Sequence, residues 1–500
     1  MDRLGHCGIA DPYDSGVSTT RRALLSWVGP LAVTALGGWL RFADLGNPRA
    51  FVFDETYYAK DGYSLLQFGY ERDAVEEADQ KILDAADPSA IQVFTEDPAF
   101  VVHPPVGKWL IAIGEGLYGM NPFGWRVAVA LLGTLSILIL ARAVRRMTGS
   151  DVWGTVAGLL LAIDGMAIVT SRVAILDGML MFFVLSAFAL LLIDRDRSRG
   201  VGWSGHWLRP WRLAAAVSLG LACGVKWSGL WFVLAFGLLT VAWDASYRHR
   251  NGTSWWRAWL QDLIPAALAM GLVFLATYLA SWFGWFASDN AWSRNWAQGS
   301  GVLPSLASLG HYHLEMLNFH GNLSSDHPYK SSAFGWLLQA RPTSFYYESP
   351  TGSASQCPSG TCSSAITALG NPIIWWAAIL AVLHQMWRWI GHRDWRSAAA
   401  LTGLAAGWLP WLFFPDRTIF SFYTIVFTPF LIMAVTLSLA ALANPKPTGS
   451  IWRDQRVRVV LITAFLLLCV WVSWYFYPLW SAELIDRDTW SSRMWLPSWV

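Results

Sequence analysis

Eleven runs of about twenty apolar residues follow one another along this chain. They lie at about 23–42, 122–144, 152–171, 174–193, 211–227, 228–245, 260–283, 372–391, 398–415, 419–443 and 457–478. A helix rises about 1.5 Å per residue, so each run is long enough to cross a hydrocarbon core about 30 Å thick. In lipid every backbone N–H and C=O needs a partner within the protein, and a continuous apolar run meets that need as a helix. The expectation is an all-α integral membrane protein with about eleven transmembrane helices. Composition agrees: 54% of the 500 residues are hydrophobic and 14% are charged, against about 25% charged in soluble domains. Many of the 33 Trp fit interfacial belts. A formal net charge of +2 gives no footprint for nucleic acid.

Basic residues orient the runs. The N-terminus carries Arg3, Arg21 and Arg22, and alternate connections carry Arg142, Arg145 and Arg146, then Arg195, Arg197, Arg199, Arg209 and Arg212. Further on come Arg248, Arg250 and Arg257, then Arg388, Arg393 and Arg396, then Lys446, Arg453, Arg456 and Arg458. All fall on one side if there are eleven spans. That side is expected to be the cytoplasm, with the C-terminus outside and the protein in the cell membrane. The first run follows a polar tail of about 22 residues and is expected to stay as a span. The layout is a cytoplasmic tail (1–22) and an N-terminal membrane part (23–283) containing a first outer loop (43–121). A second outer loop (284–371), the C-terminal helices (372–478) and an outer tail (479–500) follow. Both loops are too long to be mere connectors.

Phe53-Asp54-Glu55-Thr56-Tyr57-Tyr58 puts two adjacent carboxylates just past the first run. Acids beside a span are costly unless they bind or react. Arg41, Arg126, Arg172 and Lys226 interrupt apolar sequence and, on this orientation, face the same outer side as Asp54. Arg172 and Asp177 are close enough in sequence to pair simply with each other. Several cations at one depth suit a phosphate. The physical reading is a lipid phosphate held by Arg126 and Lys226, its tail against the spans. Asp54 is the general base for an incoming hydroxyl, its pKa raised by burial. The acid-rich stretch 71–97 reads as a solvated face.

Cys223 and Cys469 lie within spans and read as packing residues. Cys357 and Cys362 flank Pro358-Ser359-Gly360-Thr361 in the second outer loop, a spacing that permits a disulfide in an oxidising compartment. Two thiols with no clustered partner argue against a metal centre, so none is assigned. A cation held by His103, Asp54 and Glu55 stays open. In the second outer loop Tyr312, His313, Phe319 and His320 are candidates either for substrate contact or for packing on the membrane. Asp416-Arg417 reads as a surface pair.

Phe53 to Lys60, His103-Pro104-Pro105-Val106-Gly107-Lys108, Arg126, Ser171 to Asp177, Gly224-Val225-Lys226-Trp227-Ser228-Gly229, His327-Pro328-Tyr329-Lys330-Ser331-Ser332 and Arg341-Pro342 stand in the order seen in the protein O-mannosyltransferases, which this sequence resembles from about residue 35 to 430. The resemblance implies a GT-C fold and mannose transfer from polyprenyl-phosphate mannose to Ser or Thr of secreted proteins. It casts Asp54 as the base and Glu55 as its neighbour in substrate positioning. Arg126, Lys226 and Arg41 fall on the phosphate side, and His103, Arg172, Asp177, His327, Lys330 and Arg341 among further substrate contacts. No cofactor is implied as required, and divalent-cation dependence is left open. The second outer loop is too short for the β-trefoil domain of eukaryotic members, which fits the bacterial branch. Arg outnumbers Lys by 30 to 6, as in the G+C-rich genomes of actinobacteria. Expected partners are the lipid donor, translocating proteins, the bilayer and the secretion translocon.

Two rivals are kept. One is a transferase of the same fold acting on a glycolipid acceptor, against which the His327-Pro328-Tyr329 region argues. The other is a membrane carrier, against which the clustering of charge at one face, rather than at the midplane, argues.

Overall fold

The structure is a computed structural model that describes residues 19–200, 208–350, 360–443 and 454–500. The tail before residue 19, with Arg3, and the segments holding Cys357, Lys446 and Arg453 lie outside the described residues. The first apolar run forms α1 (Thr19–Phe42). The first outer loop then folds into α2 (Glu55–Phe68), β1 (Arg72–Ala74), α3 (Ala78–Asp84), β2 (Phe94–Pro98) and α4 (Val106–Tyr118). Next come α5 (Pro122–Thr148), α6 (Asp151–Ile163), α7 (Gly165–Arg172), α8 (Leu176–Gly200), α9 (Pro210–Val225), α10 (Gly229–Arg250) and α11 (Trp255–Ser281). The second outer loop holds α12 (Phe283–Ala287), α13 (Val302–Asn322), β3 (Thr343–Glu348) and β4 (Cys362–Ala368). The chain finishes with α14 (Pro372–His392), α15 (Trp395–Trp408), α16 (Thr428–Ala443), α17 (Gln455–Phe476) and the short strand β5 (Ile485–Asp486).

All eleven apolar runs fall on helices, but not on equal ones. Among the described residues six helices, α5, α8, α10, α11, α14 and α17, are each long and apolar enough to cross a membrane. The pair α6 and α7, bent by 59° at Asp164, makes a seventh as a broken span. Helices α9, α15 and α16 have 16, 14 and 16 residues, or about 21–24 Å of rise. They fall short of a full crossing alone, and α15 and α16 are extended by 3-10 turns at Leu409–Phe413 and Ser421–Val426. The molecule is a multi-pass membrane protein with α8 at its centre: 72% of the apolar stretch of α8 is buried, against 11% for α11, which faces outward.

Small residues let these helices approach closely, as expected where lipid supplies no hydrophobic drive. A Cβ on Gly37 would lie 2.2 Å from Ile137 Cδ1, which brings α1 against α5. Gly107 does the same at the start of α4, where a Cβ would meet Leu176 at 2.5 Å. The His-Pro-Pro-Val-Gly-Lys segment thereby seats α4 against the head of α8. Its Lys108 clasps the first outer loop from below, with Nζ 2.6 Å from Glu71 Oε1 and 2.9 Å from the His103 carbonyl.

The second outer loop and the C-terminal tail meet in one sheet. Strand β4 pairs antiparallel with β3 on one side and with β5 of the tail on the other. Arg341 donates to the carbonyls of Ser498 and Val500, each at 2.8 Å. Loop and tail therefore form one cap. Cys362 at the start of β4 is disulfide-bonded.

Candidate active site

Asp54 occupies the N-cap of α2, yet its side chain makes no capping hydrogen bond. The carboxylate instead accepts from the Tyr58 hydroxyl. The preceding residue, Phe53, has φ of 53°, a left-handed conformation that costs a bulky residue about 1–3 kcal/mol. An aromatic cage holds it there: Phe53 stacks on Phe345 at 4.8 Å and meets Phe422, Phe420 and His327 edge-on at 5.6, 5.8 and 6.3 Å. The sequence-predicted His327 thus packs against the residue that aims Asp54.

Glu55, the other acid of the pair, is turned inward and fully buried. Its carboxylate accepts from Arg126 Nε and Nη2, both at 2.8 Å, and from the backbone N–H of Val52 at 2.9 Å and of Ala174 at 2.8 Å. Glu55 ties the turn before α2 to α5 and to the break between α7 and α8. Its carboxylate is thus spent within the protein, bracing the turn that carries Asp54.

Arg126, expected on the phosphate side, is also engaged within the protein. Besides the two bonds to Glu55, the guanidinium donates to the carbonyls of Leu45 at 3.2 Å, Pro48 at 3.0 Å and Ala50 at 2.9 Å. All five of its N–H groups are used. Arg41 is likewise consumed: it donates to Leu161 and Ala162 carbonyls at 3.1 Å, at the end of α6, and to Gly37 and Ser171. Arg172 caps the end of α1 through the carbonyls of Leu40, Arg41, Ala43 and Asp44 at 2.7–3.3 Å. Helix ends buried in a membrane protein leave carbonyls that water cannot satisfy, and these arginines supply the donors.

Arg172 therefore does not pair with Asp177. Asp177, in the first turn of α8, is bound by Lys226 Nζ at 3.0 and 3.1 Å. Lys226 caps the C-terminus of α9 and lies 4.1 Å from the centre of the Tyr423 ring. Both residues are buried. Asp54 lies within the field of this pair. Its carboxyl is raised to about 6, first by burial and next by Asp177, against the opposing pull of Lys226 and of the Tyr58 hydroxyl.

Two outer-loop histidines stand beside this group. The rings of His103 and His320 stack at 5.0 Å, and Tyr58 lies 6.2 Å from His103. His320 Nε2 lies 2.8 Å from the Val102 carbonyl, so it carries the proton, and Nδ1 accepts from Arg417 at 3.2 Å. Burial lowers the His320 pKa to about 4 and pushes His103 well below its usual value. At neutral pH both rings are uncharged. Trp227 Nε1 donates to Tyr278 Oη at 2.9 Å, which pairs with His313 Nε2 at 2.7 Å. Tyr312 is buried with its hydroxyl on Val101.

Arg417 was not singled out in the sequence beyond a surface pairing with Asp416. Among the described residues the two make no ion pair. Arg417 turns instead toward His320 and the Trp411 ring, 5.5 Å away, with Nε buried and lacking a partner. Lys330 meets the carbonyl of Asp416 at 2.9 Å, and Arg341 those of Pro328, Ser498 and Val500. Both tie the second outer loop to neighbouring segments. Cys357 lies outside the described residues, and among those described no three His, Cys, Asp or Glu side chains group as metal ligands.

Comparison with known proteins gives the family and the fold. Residues 31–281 match the family described as dolichyl-phosphate-mannose-protein mannosyltransferase, and residues 305–499 match the C-terminal four-helix region of protein-O-mannosyltransferase. The polyprenol-phosphate-mannose–protein mannosyltransferase of Mycobacterium tuberculosis is 35% identical over 95% of this chain and 92% of its own length. The protein of that name in Corynebacterium glutamicum is 33% identical over 80% and 81%. Among solved structures, the Saccharomyces cerevisiae protein O-mannosyltransferase Pmt1-Pmt2 complex bound to the sugar donor superposes with a TM-score of 0.74 at 13% identity, covering 95% of this chain and 93% of that one. ArnT of Cupriavidus metallidurans bound to undecaprenyl phosphate gives 0.51 at 16% identity, over 92% and 70%. The fold is the GT-C architecture, and this chain, a glycosyltransferase, belongs to the protein O-mannosyltransferase family.

Proposed function

We propose that the protein transfers mannose from polyprenyl-phosphate mannose to Ser or Thr hydroxyls of secreted proteins at the outer face of the cell membrane, by a single inverting displacement. The observation that carries the reading is the juxtaposition of an uncapped, desolvated Asp54 with the buried Lys226–Asp177 pair. Arg417 joins Lys226 as the phosphate-side cation, because its Nε is buried and unspent. The acceptor oxygen attacks the anomeric carbon while Asp54 takes its proton. The bond from that carbon to the phosphate oxygen breaks, and the lipid phosphate leaves with one more negative charge. Lys226 and Arg417 stabilise that developing charge. Neutral His103 suits a hydrogen bond to the sugar, while His320, with both ring nitrogens engaged, stacks behind it. Glu55 is spent on Arg126 and two backbone N–H groups, and Asp177 on Lys226, so neither is free to act as nucleophile beside Asp54, which favours inversion.

The basic residues of α8, α10 and α14 gather at the end of the bundle away from Asp54, which supports a cytoplasmic location for that end. The mechanism calls on no cofactor. The test is transfer by the purified protein from polyprenyl-phosphate mannose to a Ser/Thr-rich peptide, with a glycolipid acceptor and a chelator as further arms. NMR of the product reads the anomer, expected to be α from a β-linked donor. Transfer to the glycolipid alone, or a β-linked product, contradicts the proposal.

A further inference from the structure

A pocket opens at the end of the bundle away from Asp54. Its volume is about 1410 Å³, and it lies among α8, α10, α11, α14 and α15. From Asp177 to Arg199 along α8 is 22 residues, so this pocket sits about 33 Å from the catalytic group. Arg195, Arg199, Arg250 and Arg393 line it, with no Asp or Glu among the lining residues. Trp243, Tyr247, Trp255 and Trp395 form aromatic walls, and Leu238, Leu239, Ala398 and Ala405 continue the lining into the apolar layer.

The acids of this end are held by arginines, and of these only Asp196 binds one that lines the pocket. Asp244 is held by Arg209 and Arg212, Asp262 by Arg248 at 2.7 Å, and Asp394 by Arg388 at 2.6 Å. Asp196 binds Arg195 and Arg146, both at 2.9 Å. Among the described residues Arg199, Arg250 and Arg393 form no ion pair. Arg195 lies 3.4 Å from the centre of the Trp395 ring, its side chain is only 7% exposed, and its Nε is buried without a partner. Guanidinium groups, aromatic walls and an apolar floor at a membrane interface form a cradle for a phosphate head whose chains run into the bilayer.

We propose that this pocket binds an anionic glycerophospholipid from the leaflet opposite the catalytic site. The phosphodiester lies among Arg195, Arg199 and Arg250, and an acyl chain follows Leu238 and Ala405. The unbalanced positive charge selects a net-negative lipid over a zwitterionic one.

The test is native mass spectrometry of the full-length protein in detergent, titrated with phosphatidylglycerol, phosphatidylcholine or inorganic phosphate. Phosphatidylglycerol should bind at least about tenfold more tightly than phosphatidylcholine, given the strength of charge-assisted hydrogen bonds. The double variant Arg199→Gln/Arg250→Gln should lose that preference. Arg257→Gln, which removes a charge at the same end outside the pocket, should keep it. Equal binding of the two lipids overturns the proposal, as does an equal loss in the Arg257 variant. Displacement of the lipid by an equimolar amount of inorganic phosphate would assign the pocket to free phosphate and overturn it too.

Discussion

Replacing Arg126 by Met separates a structural guanidinium from a substrate-binding one. Met roughly matches the length of the apolar stem and removes every donor. Five hydrogen bonds go, two to Glu55 and three to the carbonyls of Leu45, Pro48 and Ala50. Glu55 keeps only the N–H groups of Val52 and Ala174 and stays buried with its charge unbalanced. Removing one partner of a buried pair costs about 3–5 kcal/mol, or about 150- to 4,000-fold in the folded-to-open ratio of this loop at 1.4 kcal/mol per decade. Thermal unfolding in detergent should show the variant clearly destabilised. Turnover should fall as the turn before Asp54 loosens, with donor and peptide half-saturation both little changed in the surviving fraction. Glu55→Gln added to Arg126→Met removes the stranded charge and should restore part of the lost stability. If Arg126→Met is as stable as the parent and weakens the lipid donor alone, the guanidinium meets phosphate and the structural reading fails.

Asp54→Asn should lower turnover about 100- to 10,000-fold, the usual range for losing a general base, with no fall in unfolding temperature, because a carboxylate raised by burial costs stability when ionised; near-parental turnover would remove Asp54 from the mechanism. Because burial raises Asp54 to about 6 and a base works only when ionised, kcat/KM should be level above that pH and fall about tenfold per unit below it. A profile that stays level to pH 5 would contradict the assignment. Lys226→Ala and Arg417→Ala should each raise the donor concentration at half-maximal rate about tenfold or more and leave the peptide value alone, so a shift confined to the peptide would place neither on phosphate.

What could be read from the sequence divides along a physical line. Asp54 and Lys226 stand out because each is an ionisable group set in apolar sequence, and the structure brings both to one end of the bundle. Arg41, Arg126 and Arg172 gave the same signal and were spent otherwise. Their partners are backbone carbonyls at helix ends and turns, which carry no residue identity and leave no trace in a sequence. Asp177 seemed to belong to Arg172, five positions away, yet the break at Val173–Ile175 turns them apart and its partner is Lys226, 49 positions on. Arg417 was hidden by its neighbour. Adjacent side chains in a turn diverge, and the partner of Arg417 is His320, 97 positions earlier. The spans were legible as apolar runs, but the 59° bend at Asp164 and the short α9, α15 and α16 depend on packing that hydropathy does not encode.

The Asp54-Glu55 pair shows why adjacent acids serve this site with unequal roles. Two carboxylates left free side by side would raise each other's pKa, and one would keep its proton. Here Glu55 is neutralised by Arg126 and by two N–H groups. Its charge is therefore fixed within the protein, and the turn that carries Asp54 is anchored to α5 and to the segment before α8. Asp54 can then be desolvated on its own. The nearby Lys226 limits how far burial raises it, while Asp177 keeps that lysine from lowering it to an ordinary carboxylate. A value near 6 follows from that balance: low enough to be ionised at neutral pH, high enough to take a proton from an attacking hydroxyl. The spent pair beside Asp54 is thus a condition for its chemistry, although neither Glu55 nor Arg126 touches the reacting atoms.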